Sequence, residues 1–291
     1  MIKLSVVLAT RNEEANLMRC LESAKRIADE IIVVDEYSSD RTREIAKKYG
    51  AKVYLEPHHE IFHITKQKAL EKASGKWTLQ LDADEVVTSE LASQLKKVIN
   101  DQTVKITDKT KLKLFHRHQQ LLERRDGQIG KRTGEVVAYF LPRRNIFLGQ
   151  PLIHAGVYPD GVIRLVKNCK AHFPQKSVHE QIEIDGEVAW LSGDLLHYDS
   201  PTLKRYFNRL NRYTDLEAVE LNSQKIKLNL AGFLWYSLFK PLLVFSNLFF
   251  YHKGFLDGSR GFLWCFFSAC HYPIAFLKYL TNNRIKDDLK K

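Results

Sequence analysis

Short apolar runs alternate with helix-period segments through the first hundred residues, and few folds accept that alternation. Leu4–Ala9, Glu30–Asp35, Ala51–Leu55 and Trp77–Leu81 are each five or six residues long and bounded by polar residues. Runs of that length and composition read as buried strands. Between the first two, Ala15 to Arg26 sets Leu17, Cys20, Leu21 and Ala24 at helical spacing. Ser38, Ser39 and Asp40 are good N-cap residues for a helix from Arg41 to Tyr49, with Gly50 as its stop. Ile64 to Ser74 is a third helix, closed by Gly75. The order β-α-β-α-β-α-β predicts an α/β fold with a mixed, mostly parallel sheet flanked by helices.

Ligands of such sheets bind beyond the carboxyl ends of the strands. Thr10–Glu14, Asp35 and Asp82–Glu85 all fall there. Asp82, Asp84 and Glu85 at the end of an apolar strand need a partner, because buried charge is costly unless compensated. A hard divalent cation such as Mg²⁺ or Mn²⁺ is one partner; a polar turn with Ser89 capping the next helix is the alternative. No G-x-G-x-x-G follows the first strand and no G-x-x-x-x-G-K-[ST] is present, which disfavours a dinucleotide cofactor and a P-loop ATPase.

Three blocks in order, Ser5-Val-Val-Leu-Ala-Thr-Arg-Asn-Glu-Glu14, Asp29-Glu-Ile-Ile-Val-Val-Asp35 with Ser38-Ser-Asp-Arg-Thr42, and Leu81-Asp-Ala-Asp-Glu85, make residues 3 to about 100 resemble the family 2 glycosyltransferases. The resemblance implies the Rossmann-like GT-A fold, a nucleotide-diphosphate sugar as donor (a UDP-sugar) and a divalent metal. It places Thr10, Asn12 and Glu13 near the nucleotide, Asp35 at the base edge, Asp82 by the ribose or sugar and at the metal, and Asp84 on the metal. Gln67 and Lys68 match a pair that touches the diphosphate or base, although a solvated helix face explains them nearly as well. Glu36-Tyr37 departs from the small residue that many relatives carry there.

Residues 101–133 read as a polar, poorly periodic basic insertion. From Lys105 to Arg144 there are eleven Lys or Arg against four Asp or Glu, and Leu112, Leu114 and Phe115 are the few apolar anchors. A solvated, mobile segment and a basic rim for anionic lipid or a phosphorylated acceptor are the two readings. Further on, Arg143-Arg-Asn-Ile-Phe-Leu-Gly149, Tyr158-Pro-Asp160 with Arg164-Leu165, Val178-His179-Glu180 and His197-Tyr198 resemble a narrower group, the glycosyltransferases of bacterial lipopolysaccharide core typified by the β-1,4-glucosyltransferases. Inverting transfer to a hydroxyl needs a base. Glu180 is the expected catalytic base, with Asp160 second; the alternative for Glu180 is an ion pair with Arg143, Arg144 or Arg164. Arg164 reads as an anion contact or a structural salt bridge, and His197 as a residue able to approach the diphosphate or metal.

The composition changes at Pro201, so residues 1–200 are expected as the GT-A domain and 201–291 as amphipathic, membrane-associated helices. Leu228–Tyr251 and Phe262–Leu280 are apolar and aromatic, but Lys240-Pro241 and His271 with Pro273 interrupt them, short of the ~20 residues a span needs. Trp235, Tyr236, Trp264, Tyr272 and Tyr279 suit a membrane interface, with Lys240, Lys253, Arg260 and Lys278 near lipid phosphates. Packing on the domain, a homo-oligomer interface and a re-entrant hairpin over 228–251 are the alternatives. Asp257 reads as an acceptor contact or a turn cap. The net charge of +11 favours anionic partners, such as an anionic membrane surface, over nucleic acid, for which no motif is present. Cys20, Cys169, Cys265 and Cys270 lack metal-ligand spacing and read as reduced thiols, and the N-terminus lacks the layout of a signal peptide. Together these point to the cytoplasmic face of the inner membrane and a glycolipid acceptor, with the glucose donor a family guess. A polyprenyl-phosphate acceptor and an inactive sugar-nucleotide-binding scaffold are the competing readings.

Overall fold

The computed structural model describes residues 2–174 and 182–288. The chain divides into two compact units, Met1–Arg144 with Pro159–Tyr198, and Asn145–Tyr158 with Asp199–Lys291. The strands are β1 (Leu4–Thr10), β2 (Glu30–Asp35), β3 (Lys52–Leu55), β4 (Trp77–Leu81), β5 (Glu85–Val87), β6 (Val136–Phe147), β7 (Gln150–Pro151), β8 (Asp160–Lys167), β9 (Ala171–His172), β10 (Glu183–Ile184), β11 (Glu187–Trp190) and β12 (Leu195–Ser200). The first helices are α1 (Leu17–Lys25), α2 (Thr42–Lys48), α3 (Phe62–Glu71), α4 (Ser89–Ile99), α5 (Lys109–Asp126) and α6 (Leu203–Ser223).

In the first unit β3, β2, β1 and β4 are parallel neighbours, and β8 and β6 continue the sheet antiparallel. This is the mixed, flanked sheet expected from the sequence. β1 and β2 are buried along nearly their whole length, which is why they are apolar throughout instead of alternating. α1 buries Leu17, Cys20, Leu21 and Ala24 on one stripe against Leu4, Val6 and Leu8, and α4 adds Leu91, Leu95 and Val98. Each fully buried leucine contributes about 2 kcal/mol by area, so this layer dominates the unit's stability.

One buried carboxylate crosses the layers. Glu30 accepts from Ser5 Oγ at 2.5 Å, Ser74 N at 2.8 Å, Ser74 Oγ at 2.6 Å and Lys52 Nζ at 2.8 Å. Burial alone would raise its pKa; the Lys52 ammonium and the Ser5 and Ser74 donors outweigh burial and bring it down to about 2. A folded-state value below the ordinary one stabilises the fold above about pH 4.5, and that stabilisation is lost as pH falls toward 2. Glu30→Gln is therefore expected to cost about 2–3 kcal/mol at neutral pH. The gap to the parent protein should close between about pH 4.5 and pH 2, as read from urea unfolding at a series of pH values.

The basic insertion is ordered over much of its length. Where irregular chain was expected, α5 forms, started by Asp108, whose Oδ1 accepts from Thr110 N and Lys111 N. Its anchor is Phe115, fully buried and stacked on Trp190 with ring centroids 4.6 Å apart. Trp190 stacks on Phe140 on its other face, at 4.6 Å, and donates from Nε1 to Gln119 of α5 at 3.0 Å. Gly161 passes the rim of the same indole so closely that any Cβ there would clash with it.

The second unit is helical. After α6 comes a continuous helical run, Leu230–Tyr251, 22 residues long and, by length and composition, apolar enough to cross a membrane. The expected break at Lys240-Pro241 does not occur. A π-helical turn over Trp235–Phe239 precedes the proline, and Lys240 N bonds Trp235 O five residues back. The wider turn lets the chain pass Pro241, which has no N–H and crowds the preceding turn of an ordinary helix. The last helix, Gly258–Asp288, likewise runs through Pro273. The strand end and loop Asn145–Tyr158 belong to this unit: Phe147 and Leu152 pack with Tyr206, Trp264 and Phe267. Asp257 accepts from Ile153 N at 3.1 Å and His154 N at 2.8 Å, and its Oδ1 lies 2.8 Å from His154 Nδ1. It caps that turn. Lys278 bonds Asn211 and Asp215, and Arg260 bonds Leu148 O and Gln150, so both are engaged within the unit.

Candidate active site

The turn Asp82–Glu85 sits at the carboxyl end of β4 and is held by side chains from three other elements. β8 runs antiparallel to β4 with Leu79 opposite Leu165, which sets Arg164 beside Gln80. Arg164 is buried and donates to Gln80 Oε1, to Asp82 Oδ2 and, at 2.7 Å, to Glu85 Oε1. Across β6 and β8 Arg143 is opposite Asp160. Its Nη2 lies 2.7 Å from Asp160 Oδ2 and its Nη1 3.3 Å from the fully buried Glu85. Lys66, on α3, reaches Asp82 Oδ1 at 2.6 Å. Asp82 N closes the turn by donating to Glu85 Oε2 at 2.9 Å.

The charges in this lattice set one another. Burial pushes Asp82 up, but Arg164 and Lys66 outweigh it and hold its carboxyl well below the usual range. Burial lowers Lys66 against the pull of Asp82. Both Asp82 oxygens are thus bonded to cations. The lattice borders a cleft of about 680 Å³ lined by Lys66, Asp82, His118, Arg143, Asp160 and Arg164.

Asp84 bonds differently. β12 pairs antiparallel with β5, His197 opposite Glu85, and Tyr198 N donates to Asp84 O at 2.8 Å. That pairing places His197 Nε2 3.7 Å from Asp84 Oδ1, with each side chain 15% exposed. Burial and the nearby Arg143 charge lower the His197 pKa to about 4, against Glu85, Asp160 and Asp82. The ring is neutral at physiological pH and carries a nitrogen lone pair. A carboxylate oxygen and a neutral imidazole nitrogen, too far apart for a hydrogen bond, are a donor set that suits a divalent ion. Among the described residues no group of three or more His, Cys, Asp or Glu is placed to hold a metal. Asp84 and His197 therefore fit a metal only if its other ligands are not these protein residues.

The other residues singled out in the sequence fall in two places. Asp35 is fully buried and accepts from Thr10 Oγ1 at 2.9 Å, Ser38 Oγ at 2.5 Å and Ser38 N at 2.8 Å. It ties the ends of β1 and β2 together. Asn12, at φ 54°, accepts from Ser39 N at 2.8 Å, and Glu13 accepts from Asn16 Nδ2 at 2.9 Å. Asparagine tolerates that left-handed backbone better than most residues. Gln67 accepts from Phe173 N at 2.9 Å, and Lys68 pairs with Glu56 at 2.5 Å. The α3 residue that joins the acidic turn is Lys66, two positions from Lys68 and so on a different helix face. Lys66, Gln80 and Arg143 were missed as site residues; the spacing of Lys66 ahead of the acidic turn was the available signal. Glu180 lies outside the described residues.

A mixed sheet flanked by helices, with an acidic turn at the end of its parallel half and a carboxylate–imidazole pair beside it, is the arrangement expected of the GT-A class. Residues 5–150 match the family model Glycosyl transferase family 2, half of the chain, and the chain belongs to that family and is a glycosyltransferase. It is 26% identical over 277 residues to a glycosyltransferase of Rickettsia typhi, covering 90% of this chain and 82% of that one. It is also 26% identical over 282 residues to the lipopolysaccharide core biosynthesis glycosyltransferase LpsC of Rhizobium meliloti, covering 92% and 91% of the two chains. Among solved structures, glucosyl-3-phosphoglycerate synthase of Mycobacterium tuberculosis, in complex with Mn²⁺, UDP and glucosyl-3-phosphoglycerate, shares 29% identity over 28% of this chain and 34% of that one, with a TM-score of 0.26.

Proposed function

We propose that this chain is an inverting transferase that moves a hexose, with glucose as the first candidate, from a nucleotide-diphosphate sugar to a membrane glycolipid acceptor of the lipopolysaccharide-core kind. The observation that carries the reading is the Asp84–His197 pair at the end of the parallel half of the sheet. The LpsC relative, matched over nine-tenths of both chains, supports the acceptor class. Asp84 and His197 would hold a Mg²⁺ or Mn²⁺ ion, which when bound neutralises charge on the leaving diphosphate. Arg164 and Lys66 keep Asp82 ionised and fixed, so the turn does not need to reorganise when a donor arrives. Glu180 is the proposed base that takes the proton of the acceptor hydroxyl.

The test is donor binding across a panel of UDP-, GDP-, ADP- and dTDP-sugars, with and without Mn²⁺ or Mg²⁺, on the parent protein and Asp84→Ala. Metal-dependent binding of one donor, lost in Asp84→Ala, is expected and names the sugar. Folded protein that binds none of them would overturn the reading in favour of a scaffold. Glu180→Gln then separates two acceptor classes: a hydroxyl acceptor needs the base, whereas a polyprenyl phosphate is already ionised.

A further inference from the structure

We infer that Leu230–Tyr251 lies in the plane of an acidic bilayer surface, inserted by one face only, and does not cross the membrane. The inference deepens the membrane-acceptor reading above and rests on it for its purpose. At the 1.5 Å per residue of an α-helix the run would be about 33 Å long, and its π turns shorten it toward the ~30 Å of a hydrocarbon core. Length therefore does not decide; the helices packed beside it do. Tyr236 of the run stacks on Phe276 of the last helix, centroids 5.2 Å apart, and both pack with Ala218 and Leu221 of α6. α6 carries Lys204, Arg205, Arg209, Arg212, Asp215, Glu217 and Glu220. A run that spanned the bilayer would draw those charges into hydrocarbon with it.

The side turned away from these neighbours is built for partial insertion. Leu234, Leu238, Leu242, Leu243 and Phe250 are all exposed, from 39% to 63%, and no charged residue is exposed between Leu230 and Tyr251. The one charge within the run, Lys240, faces the helix pair instead. Its ammonium sits 4.8 Å from the Tyr236 ring centroid and 4.2 Å from that of Tyr272. Of the cations expected at lipid phosphates, Lys253 remains at an end of the run, and two lysines not singled out in the sequence join it. Lys225 and Lys227 precede it, Lys253 follows it, and all three are exposed. From Leu221 to Leu256 the chain has four lysines and no acidic residue. An apolar stripe with exposed cations at both ends matches one anionic headgroup plane, since each exposed lysine near such a surface adds to binding.

The full-length protein is mixed with sealed vesicles of phosphatidylglycerol and phosphatidylcholine, or of phosphatidylcholine alone, and bound protein is measured by flotation. Leu242→Glu with Leu243→Glu is expected to weaken binding to anionic vesicles at least about tenfold. Lys225→Glu, Lys227→Glu and Lys253→Glu together should remove the preference for anionic lipid. For topology, Lys227→Cys and Lys253→Cys are made separately in a Cys169→Ser background and labelled with a membrane-impermeant maleimide added outside the vesicles. Equal labelling of the two ends is expected; protection of one end alone means a span and overturns the inference. Unchanged flotation of the Leu242→Glu, Leu243→Glu variant, with a dimer converted to monomer in ultracentrifugation, would assign the face to a second copy and also overturn it. Nucleotide-sugar binding in detergent, measured on the same variants, reports separately on the transferase reading.

Discussion

Asp84→Ala is expected to remove metal-dependent donor binding and to lower sugar transfer by about 10²–10³-fold, the scale seen when one electrostatic contact to developing charge is deleted. The accompanying loss of stability should be smaller than that of Arg164→Met. The two halves of this expectation follow from where the residue sits. The Asp84 carboxylate faces His197, whereas Arg164 bridges the Asp82 and Glu85 carboxylates and Lys66 binds Asp82. The backbone bond that joins the turn to β12, Tyr198 N to Asp84 O, survives in alanine. Donor binding by calorimetry with and without Mn²⁺, beside urea unfolding, reads both. A variant that binds donor normally would remove Asp84 from the donor site.

Arg164→Met should do the opposite, costing about 3–5 kcal/mol of stability. The guanidinium is buried and satisfies Gln80, Asp82 and Glu85 at once, and Glu85 is fully buried. Removing it leaves the two carboxylates with Lys66 and Arg143 as their remaining cations among the described residues, and breaking a buried pair costs far more than the pair itself contributes. Arg164→Lys should recover little, because an ammonium cannot span three acceptors in the fixed fork of a guanidinium. The unfolding midpoint is the measurement; a loss below about 1 kcal/mol would mean that the turn is not held by this lattice.

The parallel half of the sheet was legible because its strands are continuous apolar runs with polar ends. Glu30–Asp35 and Trp77–Leu81 form with the bounds read from the sequence. α5 was not legible, because its helical anchor, Phe115, depends on Trp190, which lies 75 positions further along the chain. The passage of the chain through Pro241 was hidden for a related reason: a π turn, which no local pattern announces, absorbs the proline. At the site, the acidic turn and Arg164 could be named from the sequence. Their mutual bonding could not, since it is set by the register of β8 against β4. The local bonding of Asp35, whose oxygens accept from Thr10 and Ser38, was likewise not legible, because it depends on the parallel register of β1 and β2.

The grouping of Asn145–Tyr158 with the helices bears on how such enzymes exchange parts. A chimaera joined at a single crossover near residue 200 would inherit helices from one parent and the loop that they hold from the other. Asp257 would then face a foreign turn in place of the Ile153 and His154 amides, and Trp264 a foreign residue in place of Phe147. Recombination that respects the packing needs three joints, after Arg144, after Tyr158 and after Tyr198. Inheritance of the helical unit is thus tied to two segments, and swaps of the C-terminal segment alone should yield insoluble protein more often than folded chimaeras.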